Sequence, residues 1–214
     1  AKCHLIDFME KLLSIARPLI CLAGIMSATA VCAETLSLSY SYFTIGGATP
    51  MEMEDEMGKL GPQIKGSEYR HAGATRMEFS STIEYRKEDG RCSIVTARVN
   101  IKAKVILPRW KRPHGADAAA KLFWNVLSAD IVRHEESHLV IARNHARKIE
   151  HQLKALRPEK DCDTLAKKAE AIKDKQMVEH DRDQRRFDII EGKSLDKRLV
   201  NKLKLHIERN VVSE

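Results

Sequence analysis

From about Asp117 onward, Trp124, Leu127, Ile131, Ile141, Ile149 and Leu156 share one stripe with His134, His138 and His145, at spacings of three, four or seven. A strand cannot satisfy that period, so this part of the chain must form a long helix with one packed side. Within the stripe lies His134-Glu135-Glu136-Ser137-His138, an HExxH pattern. At i and i+4 both imidazoles leave the same helical face, close enough for each to give one nitrogen to a single Zn²⁺. Glu135 follows the first histidine directly and can reach a metal-bound water without itself ligating, the position of the general base in zinc peptidases. Because the stripe is the packed side, an ion held there would be enclosed.

Two histidines need a third protein ligand, with a fourth position left for water. His145 shares the stripe, but seven residues beyond His138 is roughly 10 Å of helical rise, too far for one ion. Arg157-Pro158 ends the helix, and a second helix is expected from about Asp163 to Asp188. If the turn is centred near residue 160, His138 faces position 182 and His134 faces position 186. That region holds Glu179, His180, Asp181, Asp183 and Asp188, and His180 is its only imidazole. Neutral imidazole suits Zn²⁺, so His180 is the expected third ligand, with Asp183, Glu179 and Asp188 as rivals.

Upstream, the chain reads as a small antiparallel sheet. Leu36, Leu38, Tyr40 and Tyr42 alternate with serines, the period of a half-buried strand, until Gly46-Gly47. Thr49-Pro50-Met51-Glu52 carries the components of a helix start: a capping hydroxyl, a proline at the first position and a carboxylate at the third. That helix runs to Gly61-Pro62. Thr75, Met77, Phe79, Ser81, Ile83 and Tyr85 alternate again, Asp89-Gly90 signals a hairpin turn, and Cys92 to Leu107 returns. Pro108 and Pro113 close this part. After the second long helix, Gly192 is expected to interrupt, and Leu195, Leu199, Leu203 and Ile207 mark a last amphipathic helix.

The first 33 residues read as a targeting segment. Lys11 and Arg17 precede an apolar run from Leu19 to Ala33 that ends in Val31-Cys32-Ala33, suiting cleavage after Ala33. The run is short and rich in Ala, Ser and Thr for a membrane span. The expected mature domain is 34–214. Of the five cysteines only Cys92 and Cys162 fall in it, and an exported chain with one remaining pair is read as carrying one disulfide. Net charge is +7, and removing residues 1–33 leaves 34 basic and 28 acidic residues, or +6. Basic and acidic residues mix along the helices, and with 5% aromatics no stacking platform for nucleic acid stands out. Nucleic acid is therefore not an expected partner.

Tyr42-Phe43, Gly46-Gly47, Thr49, Gly61-Pro62, Cys92, Leu107-Pro108-Arg109-Trp110, Trp124, the HExxH stretch, Cys162 and Phe187-Asp188 together resemble the bacterial domain of unknown function 922 family. Its members are described as predicted secreted zinc-dependent proteases. In many of them a Tyr-Asp is followed closely by Thr and His-Gly. Here Phe187-Asp188 leads to Gly192 without that histidine, so a ligand supplied there would have to be replaced by another residue. The expected fold is α+β and zincin-like, a small antiparallel sheet packed with long helices, with the HExxH on a long helix of an antiparallel helix hairpin. The function expected is that of an exported zinc metallopeptidase, periplasmic or secreted, hydrolysing peptide bonds through a zinc-activated water with Glu135 as general base. The substrate would be a peptide or a peptidoglycan-type polymer. The alternative is a non-catalytic envelope scaffold whose metal is structural or absent.

Overall fold

The computed structural model describes residues 36–64 and 66–212. The expected targeting segment lies outside them. Six elements follow in order: β1 (Leu36–Ile45), α1 (Pro50–Leu60), β2 (Ala74–Glu88), β3 (Arg91–Trp110), α2 (Ala118–Lys154) and α3 (Cys162–Val212). The fold is α+β. Among the described residues no helix is long and apolar enough to cross a membrane.

The three strands form one sheet in the order β1-β3-β2. Asp89 and Gly90, both with positive φ (50° and 74°), make the tight turn that pairs β2 with β3 antiparallel. β1 then joins the free edge of β3 in parallel. The sheet is mixed, which corrects the antiparallel expectation. The outer strands β1 and β2 run oppositely, so the strand between them must be parallel to one. Alternation alone does not reveal which strand lies in the middle. β3 also continues through Pro108 to Trp110. Pairing with β2 has already ended at Ile106, so this proline sits where only β1 lies alongside, opposite Phe43.

Residues directly opposite each other share a face. Thr75, Met77, Phe79 and Ser81 therefore point the same way as their partners Val105, Ala103, Ile101 and Val99, the buried residues of β3. α2 covers this face. The opposite face carries exposed Arg98, Asn100, Lys102 and Lys104. On β1 the expected half-buried stripe is only partly covered. Leu36 packs on the core, whereas Leu38, Tyr40 and Tyr42 are exposed, and Phe43 and Ile45 supply the packing instead. Tyr40 is tethered to α2 through its hydroxyl, which donates to Glu136 Oε1 at 3.1 Å.

α1 is capped as its sequence implies, with Thr49 Oγ1 accepting from the Glu52 backbone N–H at 3.3 Å, and it buries Met53 and Met57. It ends at Gly61, where a Cβ would stand 2.0 Å from the His71 carbonyl oxygen, a contact only glycine permits.

The two long helices form an antiparallel hairpin. Asp117 caps α2 by accepting from Ala120 N–H at 2.7 Å. α2 presents two packed faces. Glu135, Leu139, Ala142, Ala146, Ile149 and Leu153 are buried, and Glu135 and Glu150 on this side reach the strands at Thr75 and Val99. The sequence stripe of His134, His138 and His145 instead meets α3. α3 is one continuous helix of 51 residues, with no interruption at Gly192. An interior glycine costs roughly 1 kcal/mol of helix propensity, which is offset here because Arg198 and Lys202 anchor the following turns to Asp130 and Leu199 packs on the core. A disulfide joins Cys92 to Cys162, with Cα atoms 5.1 Å apart. Beside it, Cys92 and Glu159 exchange two backbone hydrogen bonds of 2.7 and 2.8 Å.

Candidate metal centre

The HExxH residues occupy the middle of α2. His134 Nε2 and His138 Nε2 lie 3.2 Å apart, a closeness that the i, i+4 spacing permits. Across the hairpin, Asp188 Oδ1 stands 3.0 Å from His138 Nε2 and 3.3 Å from His134 Nε2. One atom from each of the three falls within 4.8 Å of the others. Phe187 walls the cluster, stacked on His134 at 4.9 Å between ring centroids and edge-on to His138 at 5.1 Å.

His180 is not brought to this cluster. It lies on the same α3 stripe as Asp188 but eight residues earlier, about 12 Å along the helix axis. Neither its face nor its level along the hairpin is read correctly from the sequence, where helical phase sets Asp183 and Glu179 nearer the packed side than His180. Side chains lean toward the N-terminus of their own helix, so residues that touch across an antiparallel pair have higher numbers than those whose backbones lie level. His180 is instead buried, with its ring set edge-on against Phe79 and His145. The other rivals are engaged elsewhere: Asp183 Oδ2 accepts from His145 Nε2–H at 3.1 Å, and Glu179 Oε2 from Lys148 at 2.6 Å.

Glu135 points from α2 to the sheet. Its Oε2 accepts from Thr75 Oγ1 at 2.8 Å. A Cβ on Gly73 would lie 2.7 Å from Glu135 Oε1 and 3.0 Å from Cγ, so the absence of a side chain at 73 makes room for this carboxylate. Burial pushes the Glu135 carboxyl above its ordinary value, although the Thr75 hydroxyl and the two imidazoles work against it. Burial also opposes charge on His138 and on Asp188. The Asp188 carboxylate outweighs it for His138, raising the histidine, and the His134 and His138 imidazoles together outweigh it for Asp188, holding the aspartate far below the usual carboxylate range.

Behind these groups stands a layer that the sequence did not single out. Gln184 contacts His138, and Glu191 forms ion pairs with Arg133 and Arg198. Asp130, almost fully buried, accepts from Arg198, Lys202 and Arg133. The cluster opens into a cavity of about 530 Å³ between α2, α3 and the start of β2, lined largely by apolar groups including Ala72, Ala74, Leu127, Ile131 and Leu195. A signal for part of this layer was present: Gln184 and Asp188 continue the i, i+4 series that starts at His180.

Two imidazole nitrogens and one carboxylate oxygen converging on one point are a donor set that suits a divalent transition ion such as zinc, with room for a further ligand on the cavity side.

No curated protein and no solved structure matches the chain. The family model described as "Bacterial protein of unknown function (DUF922)" matches residues 40–194, a span that runs from β1 through the HExxH helix to Ser194 and includes His134, Glu135, His138 and Asp188. The chain belongs to this bacterial family.

Proposed function

We propose that the protein is a zinc-dependent hydrolase of peptide bonds with a zincin-like site, in which His134, His138 and Asp188 hold the metal and Glu135 is the general base. The observation that carries this reading is the approach of Asp188 to both HExxH imidazoles, at 3.0 and 3.3 Å, beside a buried glutamate at the edge of a cavity. Asp188 takes the place that the sequence assigned to His180.

Zinc bound there would polarise a carbonyl and lower the pKa of water to about 7. Glu135 accepts a proton from the attacking water as the new C–O bond forms, then delivers it to the leaving amine as the C–N bond breaks. Burial raises this carboxyl, which favours its holding the proton between the two transfers. Thr75 and Gly73 fix the carboxylate by a hydrogen bond and by open space. Apart from the site's own Glu135 and Asp188, the cavity's charged lining residues Asp130, Glu191 and Arg198 pair with one another. The pocket therefore favours an uncharged aliphatic side chain of a peptide over a polar sugar.

The disulfide and the absence of a membrane-crossing helix among the described residues are compatible with a periplasmic or secreted protein. The test is a casein or mixed-peptide digest by zinc-loaded protein and by Glu135→Gln. Cleavage by wild type, lost at least a hundredfold in Glu135→Gln at unchanged zinc content, supports the peptidase. Full zinc occupancy without cleavage of any peptide supports the scaffold alternative.

A further inference from the structure

His138 carries its second ring nitrogen away from the metal cluster, toward α3. There Nδ1 lies 2.6 Å from Gln184 Oε1. The same amide reaches two other groups through Nε2: the His138 carbonyl oxygen at 3.1 Å and His180 Nε2 at 2.9 Å. His180 in turn donates Nδ1–H to Asp181 Oδ1 at 3.0 Å.

These contacts allow one proton arrangement. A carbonyl oxygen only accepts, so the side of the amide facing the His138 carbonyl must be the NH₂. Its second hydrogen then points at His180 Nε2, which is free to accept because the His180 proton is on Nδ1 and directed at Asp181. With both hydrogens committed, the Gln184 oxygen faces His138 and can only accept, so His138 must carry a proton on Nδ1. Its Nε2 is thereby the nitrogen offered to Asp188, His134 and a metal. The burial that lowers the His180 pKa agrees with a neutral, accepting ring.

We infer that Gln184 and His180 are positioning residues of the metal centre: a relay from Asp181 through His180 and Gln184 sets the tautomer and ring orientation of His138. The inference rests on the metal reading for its consequence, but the relay exists in the metal-free protein. Partners of this kind typically contribute 10- to 100-fold to metal affinity.

The test has two readouts on the full chain. In metal-free protein at alkaline pH, where the imidazole is neutral, ¹⁵N-edited NMR of the histidine rings should show His138 protonated on Nδ1. In Gln184→Leu it should become a mixture of both tautomers. Zinc competition against a chromogenic chelator should show affinity lowered about 10- to 100-fold in Gln184→Leu. His180→Phe keeps an aromatic ring against Phe79 but removes the acceptor. It should weaken zinc by a smaller factor, and that factor should vanish in the Gln184→Leu background, because His180 acts through Gln184. An Nε2-protonated His138 in wild type, Gln184→Leu affinity within twofold of wild type, or His180→Phe and Gln184→Leu effects that simply multiply would each overturn the relay. Should wild type bind no zinc, the metal reading falls, and the NMR result alone decides whether the relay stands.

Discussion

The two ends of the helix hairpin are built from opposite materials. At the turn, Cys92, Leu153, Leu165 and Ala169 are each fully buried, and a disulfide crosses between strand and helix. At the other end, beyond the metal cluster, α3 is held to α2 by Asp130, Arg133, Glu191, Arg198 and Lys202. Burying an aliphatic side chain stabilises by about 1.5–3 kcal/mol whatever the pH, so the turn end is a fixed anchor. The charged end draws part of its hold from the ionised Asp130, so that part depends on pH. The candidate site lies between them, with α2 and the sheet supplying His134, His138, Glu135 and Thr75, and α3 supplying Gln184 and Asp188. The family match ends at residue 194, so Arg198 and Lys202, which fasten the charged end, lie beyond it.

The contrast can be broken at either end. Replacing both Cys92 and Cys162 with serine opens a closure of 70 residues and should cost about 4 kcal/mol of global stability by the chain-entropy relation. Denaturant unfolding checks the loss. Zinc affinity should stay within twofold of wild type, because the covalent link lies far from the cluster.

Asp130→Ala removes the shared partner of three cations and should cost on the order of 3 kcal/mol. Hydrogen exchange should locate the damage, with protection lost around residues 188–202 and retained near Leu153 and Leu165.

Acid should imitate Asp130→Ala more gently. Burial works against the Asp130 charge, but Arg198, Lys202 and Arg133 more than compensate, so its folded pKa lies well below the ordinary 3.8. Its stabilisation is therefore fully present above that value and fades as pH falls below it. Wild type should lose stability below about pH 4, and Asp130→Ala should lose correspondingly less over the same range.

Much of this arrangement was legible in the sequence because it depends on local period and spacing. The HExxH pair, the Thr49 cap, the Asp89-Gly90 turn and the β2 alternation are all properties of neighbouring residues. The Cys92–Cys162 pairing, which is present, was legible by elimination. What escaped was set by tertiary packing. The parallel pairing of β1 depends on which strand is central. The unbroken α3 depends on Asp130, 62 residues before Gly192 in the chain, drawing Arg198 and Lys202 back to α2. The third member of the cluster depends on the level of one helix against another, where an error of two turns exchanges His180 for Asp188. Gly73 and Thr75 were unmarked as partners of Glu135, because they lie 62 and 60 residues before it.

In the proposed metal site Asp188, not His180, completes the cluster with His134 and His138. Elemental analysis of the purified chain after saturation with zinc and removal of excess tests it most directly, comparing wild type with Asp188→Ala, His180→Ala and His138→Ala. Wild type should hold about one zinc per chain, with near-complete loss in His138→Ala and Asp188→Ala. His180→Ala should keep its stoichiometry at weakened affinity. Full zinc in Asp188→Ala, or a loss in His180→Ala as complete as in His138→Ala, would contradict it.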